Sequence, residues 1–564
     1  MTAQISLVSV QRWILALMVV LAMIVSSRQP LGAQTAPIAS ATVTGAVKNA
    51  SGEPVSGALV KVKKEDSGLL FMVVSQAQGR YTTPKLEPGK YSAQAFGGSY
   101  QSESSSPVEA TADQPAKIDL TLSAPQKPAQ PEKRRTPEDY EKLMPAGDGK
   151  AIVEAKCTLC HGVERVVLAR YNRDDWQKTV DRMRLFIENR PDLQKQFHQE
   201  AMTPQETTAM VDYLVKNFGK DTPPLREEPP SDPNGHLPRT LLKGTEAKYV
   251  VALRDRRGRS EIYDVTVDTK GTPWVSGRDK SGGILGRYDR DSLGFTQVPL
   301  PPEKPTSGLG ALAADPLDRI WMADRDPKNT HIWLYDIKSN EFKTYQIPAP
   351  EKLPPNVWRL YANLNTFRFL PDGTMWGVGN TSSRIVSIDP STGKVADHPI
   401  LSGSHPFGIA IGGDKAVWYA AMYTNEIVRR DTKTDQETRY KVPTPKAELQ
   451  RMAADADGNL WIVEQDAGKL AKVDYRTGKI TEHIPPSKDP GSYAIDVDRK
   501  HNLVWFDENL VGKLCRYDPR TSRFVEFALP TSGEEVRRMV VDPINPNRVW
   551  WSTVSKIGYI ETVE

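Results

Sequence analysis

Residues 453–464 read A-A-D-A-D-G-N-L-W-I-V-E. A short apolar run enters a tight Asp/Gly turn, and a second apolar run led by Trp461 leaves it. Two strands joined by such a turn form a hairpin. The phrase recurs at 407–419 as F-G-I-A-I-G-G-D-K-A-V-W-Y. Outward from these, a Trp stands at 274, 321, 376, 418, 461, 505 and 550, at intervals of 47, 55, 42, 43, 44 and 45 residues. A period of about 40–50 residues with strand patterning means one four-stranded blade per repeat. Seven such Trp predict a seven-bladed β-propeller over residues 245–564. Each unit adds an Asp after its third strand, at 289, 336, 389, 431, 474 and 518, and an outer strand ending in Pro. The last repeat stops near Glu561 without its outer strand. The stretch 247–253 (A-K-Y-V-V-A-L) is predicted to supply it and close the ring, which removes open sheet edges.

The chain has 564 residues, 38% hydrophobic and 26% charged. That composition fits several globular domains and excludes a polytopic membrane protein. Lys plus Arg number 74 against 70 acids, a net +4. Two of those cations, Arg12 and Arg28, lie in the first 33 residues, which hold no acid, so the remainder carries +2. Such a balance predicts no nucleic-acid partner. Arg12 precedes a 13-residue apolar run, Trp13 to Val25. It falls short of the roughly 20 residues that span a bilayer. With Gly32 and Ala33 after it, the run reads as a signal peptide over 1–33, cleaved after Ala33. An uncleaved anchor is the other reading. Export predicts a periplasmic or secreted protein, with no membrane span once the signal is removed.

Residues 40–123 alternate Val, Thr, Ala and Lys between Gly/Pro turns, the mark of short strands in a small β-sandwich. The pattern G-x-V…G-x-P-V-x-G-A-x-V-x-V…G-x-Y…L-x-P-G-x-Y resembles the carboxypeptidase regulatory-like domain. The resemblance implies a transthyretin-like, carbohydrate-binding-like fold without catalysis. Tyr81, Tyr91 and Tyr100 read as strand-packing residues and not as a sugar platform. A Pro-rich linker, 124–137, follows.

Residues 157–161 read Cys-Thr-Leu-Cys-His, the attachment motif of a c-type haem. Cys157 and Cys160 sit one helical turn apart to bond two vinyl groups, and His161 presents an imidazole to the iron. A zinc site would need further Cys or His ligands nearby. The third cysteine, Cys515, is far away and reads as an unpaired strand residue. A helix is expected from about Gly149 into the motif, capped by Asp148. A second is capped by Asp174 or Asp175, and a third starts at the capping box Thr203-Pro-Gln-Glu206. These features resemble a small monohaem cytochrome c over 138–220, an all-α domain. The expected sixth iron ligand is Met183 or Met202, with an open sixth position as the other reading; Met210 reads as core and His198 as surface. The Trp176-x6-Met183 arrangement resembles cytochromes of the sulfite-dehydrogenase type. A second linker, 221–244, separates this module from the propeller.

The chain is thus expected to be mainly β and multidomain. The units quoted at 407–419 and 453–464 resemble the streptogramin lyase (virginiamycin B lyase) propeller family. The resemblance implies a glutamate after the blade Trp that holds magnesium and a nearby histidine base. Matching positions carry Asp324, Glu464 and Glu508. Where the histidine would stand are Arg451, Tyr493 and Arg538, so the histidine pattern is broken. His405, before Phe407, approaches the same rim. Glu464, Glu508, His405 and Arg451 are the candidate catalytic residues, with Tyr423 and Arg538 beside them. Three functions follow. One is single-electron transfer through one covalent haem c to a redox partner protein, with sandwich and propeller docking the partner or a small-molecule or carbohydrate ligand. Another is a propeller enzyme, by lyase-like elimination or by oxidation that passes electrons to the haem. The third is a cell-envelope binding protein, with sandwich and propeller as adhesion modules and the haem as a sensor.

Overall fold

The computed structural model describes residues 40–126, 137–157, 163–188, 200, 202–223, 233–256, 260–303, 305, 308–325, 331–348, 364–379, 384–400, 404–422, 424–533 and 535–563. Seven four-stranded antiparallel blades surround a central channel. Their innermost strands are Glu261–Val267, Leu309–Ala314, Thr366–Phe369, Pro406–Ile411, Leu449–Ala454, Ile495–Asp498 and Arg538–Val541, for blades 1 to 7 in order. The second strand of each blade carries the repeat Trp, and all seven are buried between blades.

Trp recurs for a bonding reason as well as a packing one. In blades 1, 2, 4, 5 and 7 the indole N–H donates to the Asp of the preceding turn: Asp268, Asp315, Asp414, Asp455 and Asp542, at 2.9–3.2 Å. The same carboxylates cap their turns, as where Asp455 accepts from Asn459 N at 2.8 Å. In blade 3 the position six residues before the Trp is Leu370, and the Trp376 indole N–H has no hydrogen-bond acceptor among the described residues. The Asp after each third strand closes the outer turn, as where Asp474 accepts from Arg476 N at 3.0 Å.

Tyr249–Asp255 is the fourth strand of blade 7 and pairs with Lys556–Thr562 from Tyr249↔Thr562 to Asp255↔Lys556. Its other edge is not free. It pairs with Leu69–Val74 of the N-terminal sandwich, so one ten-stranded sheet runs from the sandwich into the propeller. Arg254 ties the junction by donating to Glu87 at 2.9 Å. The sandwich's second sheet is built on Val43–Asn49, which pairs with Arg80–Thr82, Ala116–Lys117 and Leu120–Leu122. Tyr81 and Tyr91 pack in its core, whereas Tyr100 is 51% exposed and not a packing residue.

Both linkers differ from expectation at their described ends. Ala124–Pro125 is a strand of the sandwich, and Gln126 N donates to Ser99 O at 2.9 Å. Residues 233–244 pack down instead of standing in solvent, because Leu237 is buried and polar neighbours satisfy the backbone. Lys61 donates to Asn234 at 2.7 Å, and Ser99 N donates to Arg239 O at 2.7 Å. Ser99 therefore holds both ends of the intervening segment.

Among the described residues that segment contains five helices: α1 (Pro137–Lys142), α2 (Lys150–Cys157), α3 (Glu164–Leu168), α4 (Arg173–Glu188) and α5 (Pro204–Phe218). Helix α5 starts at the expected capping box, with Glu206 N donating to Thr203 Oγ1 at 3.1 Å and Thr203 N donating to Glu206 at 2.8 Å. The cap of α4 is Asn172, which accepts from Asp175 N at 2.9 Å, and not either aspartate. An amide oxygen fills this role as well as a carboxylate. Among the described residues no helix is long and apolar enough to cross a membrane. The expected signal segment 1–33 lies outside the described residues.

Asp455→Ala strands the buried Trp461 indole N–H and uncaps its turn. The expected cost is about 1–3 kcal/mol, read as a lower thermal midpoint. An unchanged midpoint would show that the repeated Trp–Asp bond contributes nothing.

Candidate active site

The inner strands set which side chains meet in the channel. Asp264 and Arg538 stand opposite Ser276 and Ser552, toward one end. Arg451 lies at a register shift in its strand near the same end. Arg368 and Asp496 stand opposite the blade Trp, deeper in. Three arginines then reach across the ring. Arg451 of blade 5 donates to Thr366 of blade 3 at 2.7 Å and to Arg537 O at blade 7 at 2.9 Å. Arg538 pairs with Asp264 of blade 1 at 3.0 Å. Arg368 of blade 3 reaches Met452 O of blade 5 at 3.4 Å.

At the channel mouth, blades 4, 5 and 6 bring Phe407, Arg451 and Tyr493 together. The Phe407 and Tyr493 rings meet edge to face at 5.5 Å. The Arg451 guanidinium lies 5.3 Å from the Tyr493 ring and 5.9 Å from the Phe407 ring. A cation over aromatic faces in a partly desolvated place is held firmly. Burial pushes the Tyr493 hydroxyl up to about 12, so it stays protonated. Asp507 positions this tyrosine: its Oδ1 accepts from Tyr493 N at 2.9 Å and from Ala494 N at 2.5 Å. Burial raises Asp507 well above the usual carboxylate range. His405, half-buried, enters this edge two residues before Phe407, with a left-handed backbone (φ 46°) that turns the chain into the strand. Such a φ at a non-glycine residue is uncommon and collects at functional turns.

The glutamates expected beside His405 lie elsewhere. A side chain three residues after the blade Trp has the parity of the strand face that meets the neighbouring blade, one strand out from the channel. Glu464 is fully buried there, and neither carboxylate oxygen has a hydrogen-bond partner among the described residues. Its neighbours are Lys469 and Glu482, which pair with each other at 2.6 Å. Burial, then the Glu482 charge, pushes Glu464 up to about 8. Blade 6 repeats the pattern. Glu508 is raised by burial and then by Glu526, while Lys513 pairs with Glu526 at 2.6 Å and Ser487 donates to it at 2.7 Å. Asp324 accepts from the Trp333 indole at 3.2 Å and is structural. A lysine ammonium already serves each of these buried carboxylate pairs, and Glu464 and Glu508 have no exposed surface. These residues do not fit a magnesium ion. Among the described residues no group of three or more His, Cys, Asp or Glu side chains is arranged to hold a metal.

The structure therefore keeps Arg451, Tyr493 and His405 at one mouth, leaves Arg538 toward the same end of the channel, and removes Asp324, Glu464 and Glu508. Tyr423, Cys160, His161 and His198 lie outside the described residues, as does the Cys157 side chain; its backbone ends α2. In the helical module Met202 and Met210 are buried, and Met183 packs half-buried against the same core. Gly149, just before α2, lies against Ala209 and Tyr213 of α5 so closely that any side chain would collide. Cys515 is buried, with its thiol free.

Residues 42–123 match the carboxypeptidase regulatory-like domain, and residues 361–564 match the virginiamycin B lyase family. The chain is thus a mainly β, multidomain protein with a sandwich of the first type and a propeller region of the second. Among solved structures it is similar to a selenomethionine-substituted virginiamycin B lyase from Staphylococcus aureus (22% identity, 56% of this chain, 100% of that chain, TM-score 0.48). It is equally similar to a catalytically inactive variant of that lyase with quinupristin (22%, 56%, 100%, TM-score 0.48). A streptogramin B lyase structure gives 21% identity, 57% and 100% coverage and a TM-score of 0.49. No curated protein matches the chain.

The sign of the Glu464 shift sets a pH dependence. Its folded value is raised from 4.5 to about 8, so the native state binds the extra proton. Its contribution is fully present below the unfolded value and is lost as pH rises through the folded one. Wild-type stability is expected to fall between about pH 5 and 8, and Glu464→Gln is expected to flatten that fall and to melt higher at pH 8. Equal slopes for the two proteins in thermal melts across this window would contradict the assignment.

Proposed function

We propose that the propeller is a lyase-type enzyme domain that acts on a lactone-like ester by elimination at the mouth formed by blades 4, 5 and 6. The observation that carries this is the meeting of Phe407, Arg451 and Tyr493, with His405 two residues before Phe407, within the blades matched to the virginiamycin B lyase family. Tyr493, half-buried and backed by the buried Phe407 ring, gives an apolar face for a cyclic substrate, and the guanidinium gives a fixed positive charge beside it.

In an elimination, a base takes the proton from the carbon next to a carbonyl. The freed electron pair forms a carbon–carbon double bond as the ester C–O bond breaks, and a carboxylate leaves. His405 serves as the base, through a ring nitrogen that takes the proton. Arg451 stabilises the negative charge that develops, first on the carbonyl oxygen and then on the departing carboxylate. Asp507 holds the Tyr493 backbone in place. The test is turnover of virginiamycin B. His405→Ala is expected to lower kcat/KM by about 10²-fold or more with an unchanged thermal midpoint. Full activity in that variant, or no turnover by the wild type, overturns the proposal.

A second reading concerns the helical module: it carries one covalent haem c, and the exported protein passes single electrons to a redox partner protein. The motif Cys157-Thr-Leu-Cys160-His161 favours it, at the end of a helix whose start is packed on α5 at Gly149. The donor set fits, with two thiols, an imidazole, and the thioether of Met183 or Met202 in the module's core. A bound haem supplies a reversible one-electron couple. Cys157, Cys160 and His161 would hold it, and the module's apolar core would close around it. Replacing the Met that ligates, Met183 in the first instance, is expected to change the visible spectrum and lower the reduction potential. A change on Met202→Ala alone moves the ligand to Met202, and a colourless protein after haem maturation rejects the reading.

A further inference from the structure

The three channel arginines are not matched by acids. Arg538 has Asp264 at 3.0 Å, and Asp264 also accepts from Leu312 N at 3.1 Å. Asp496 accepts from Val541 N at 2.8 Å, and its charge reaches both Arg368 and Arg538 from beyond pairing distance. Arg451 and Arg368 donate to neutral oxygens, and no described carboxylate lies within 4.0 Å of either guanidinium. Arg368 is thus faced by the charges of Arg538, Arg451 and Arg499 and by one carboxylate, Asp496.

Arg368 is the exceptional member. It is walled in by the blades, yet its side chain keeps contact with solvent. At its level, opposite the blade Trp, the neighbouring inner strands present Ala313, Ala410 and Ala453. Those alanines are buried in the blade cores and carry no polar group, so none of them offers the guanidinium a partner. Burial, then the Arg538 charge, pushes Arg368 down to about 9, so the site disfavours its own cation. An uncompensated cation in low-dielectric surroundings attracts a counter-charge strongly. A planar fork of N–H donors suits oxygen pairs on one centre.

We propose that the propeller channel is a binding site for a compact oxyanion group, held by Arg368 with Arg451. The site lies inward of the Phe407–Tyr493 mouth and shares Arg451 with it, and binding there is read without turnover. An oxyanion at this depth neutralises the excess charge and braces blades 3 and 5. Free phosphate and the carboxylate of a small organic acid share the required chemistry.

The test is calorimetric titration of the full chain with inorganic phosphate and, separately, with acetate, at constant ionic strength. Saturable 1:1 binding of either is expected, and whichever binds tighter identifies the source. Arg368→Met is expected to weaken binding at least tenfold. Asp496→Asn, which removes the opposing carboxylate and keeps an oxygen for Val541 N, is expected to tighten it at least threefold. Heats that never saturate in the wild type, or unchanged affinity in Arg368→Met, overturn the proposal. Should Arg368→Met fail to fold, Asp496→Asn decides alone: tighter binding supports the site, and unchanged or weaker binding rejects it.

Discussion

One strand, Tyr249–Asp255, is hydrogen-bonded along both edges, and the architecture depends on it. One edge completes blade 7 and closes the ring; the other continues the sheet into the sandwich. A propeller without its closing strand leaves blade 7 with an unpaired edge and the ring open. A sandwich without this partner exposes the edge of Leu69–Val74. The two domains therefore share one stability problem and solve it with one ladder. The helical module leaves and re-enters at Ser99, which bonds Gln126 and Arg239 from opposite directions. It is an insertion in a continuous β body, not a bead on a string.

Within the ring, charge replaces apolar packing along the axis. Blade cores are filled by Trp, Ile and Val, as close packing requires. The inner strands border a channel that seven blades leave open, and there arginines bridge blades that are not neighbours. Arg451 links blades 3, 5 and 7 in this way. It also sits between Phe407 and Tyr493, so the bracing of the ring and the shape of the mouth share a side chain. Rigid placement of a charged group at a mouth is what electrostatic stabilisation of a developing charge requires.

Much of this was legible in the residues. The spacing of Trp274 to Trp550 set the blade count, because each blade needs one large ring in the same place. The missing strand after Glu561 pointed to residues near 249. The channel was not legible. Alternation along T-F-R-F or I-D-V-D shows which residues share a face, but not whether that face meets water, a channel or the next blade. Arg368, Asp264, Asp496 and Asp507 were missed for that reason. Glu464 and Glu508 were placed at the rim from their distance to Trp, yet the strand's parity points them between blades. No sequence signal told that Leu70 and Arg254, which lie 184 positions apart, would share a sheet. In the helical module the capping box was readable because Thr203 and Glu206 are local to each other; Asn172 was passed over for the aspartates beside it.

The central claim is that the mouth beside Arg451 is where this propeller meets its substrate. The most direct measurement is a crystal structure of the protein with virginiamycin B bound. The account predicts the ring of the ligand over Phe407 and Tyr493, its ester within reach of His405 and Arg451. A ligand seated at the opposite end of the channel, or on the sandwich with the mouth empty, contradicts it.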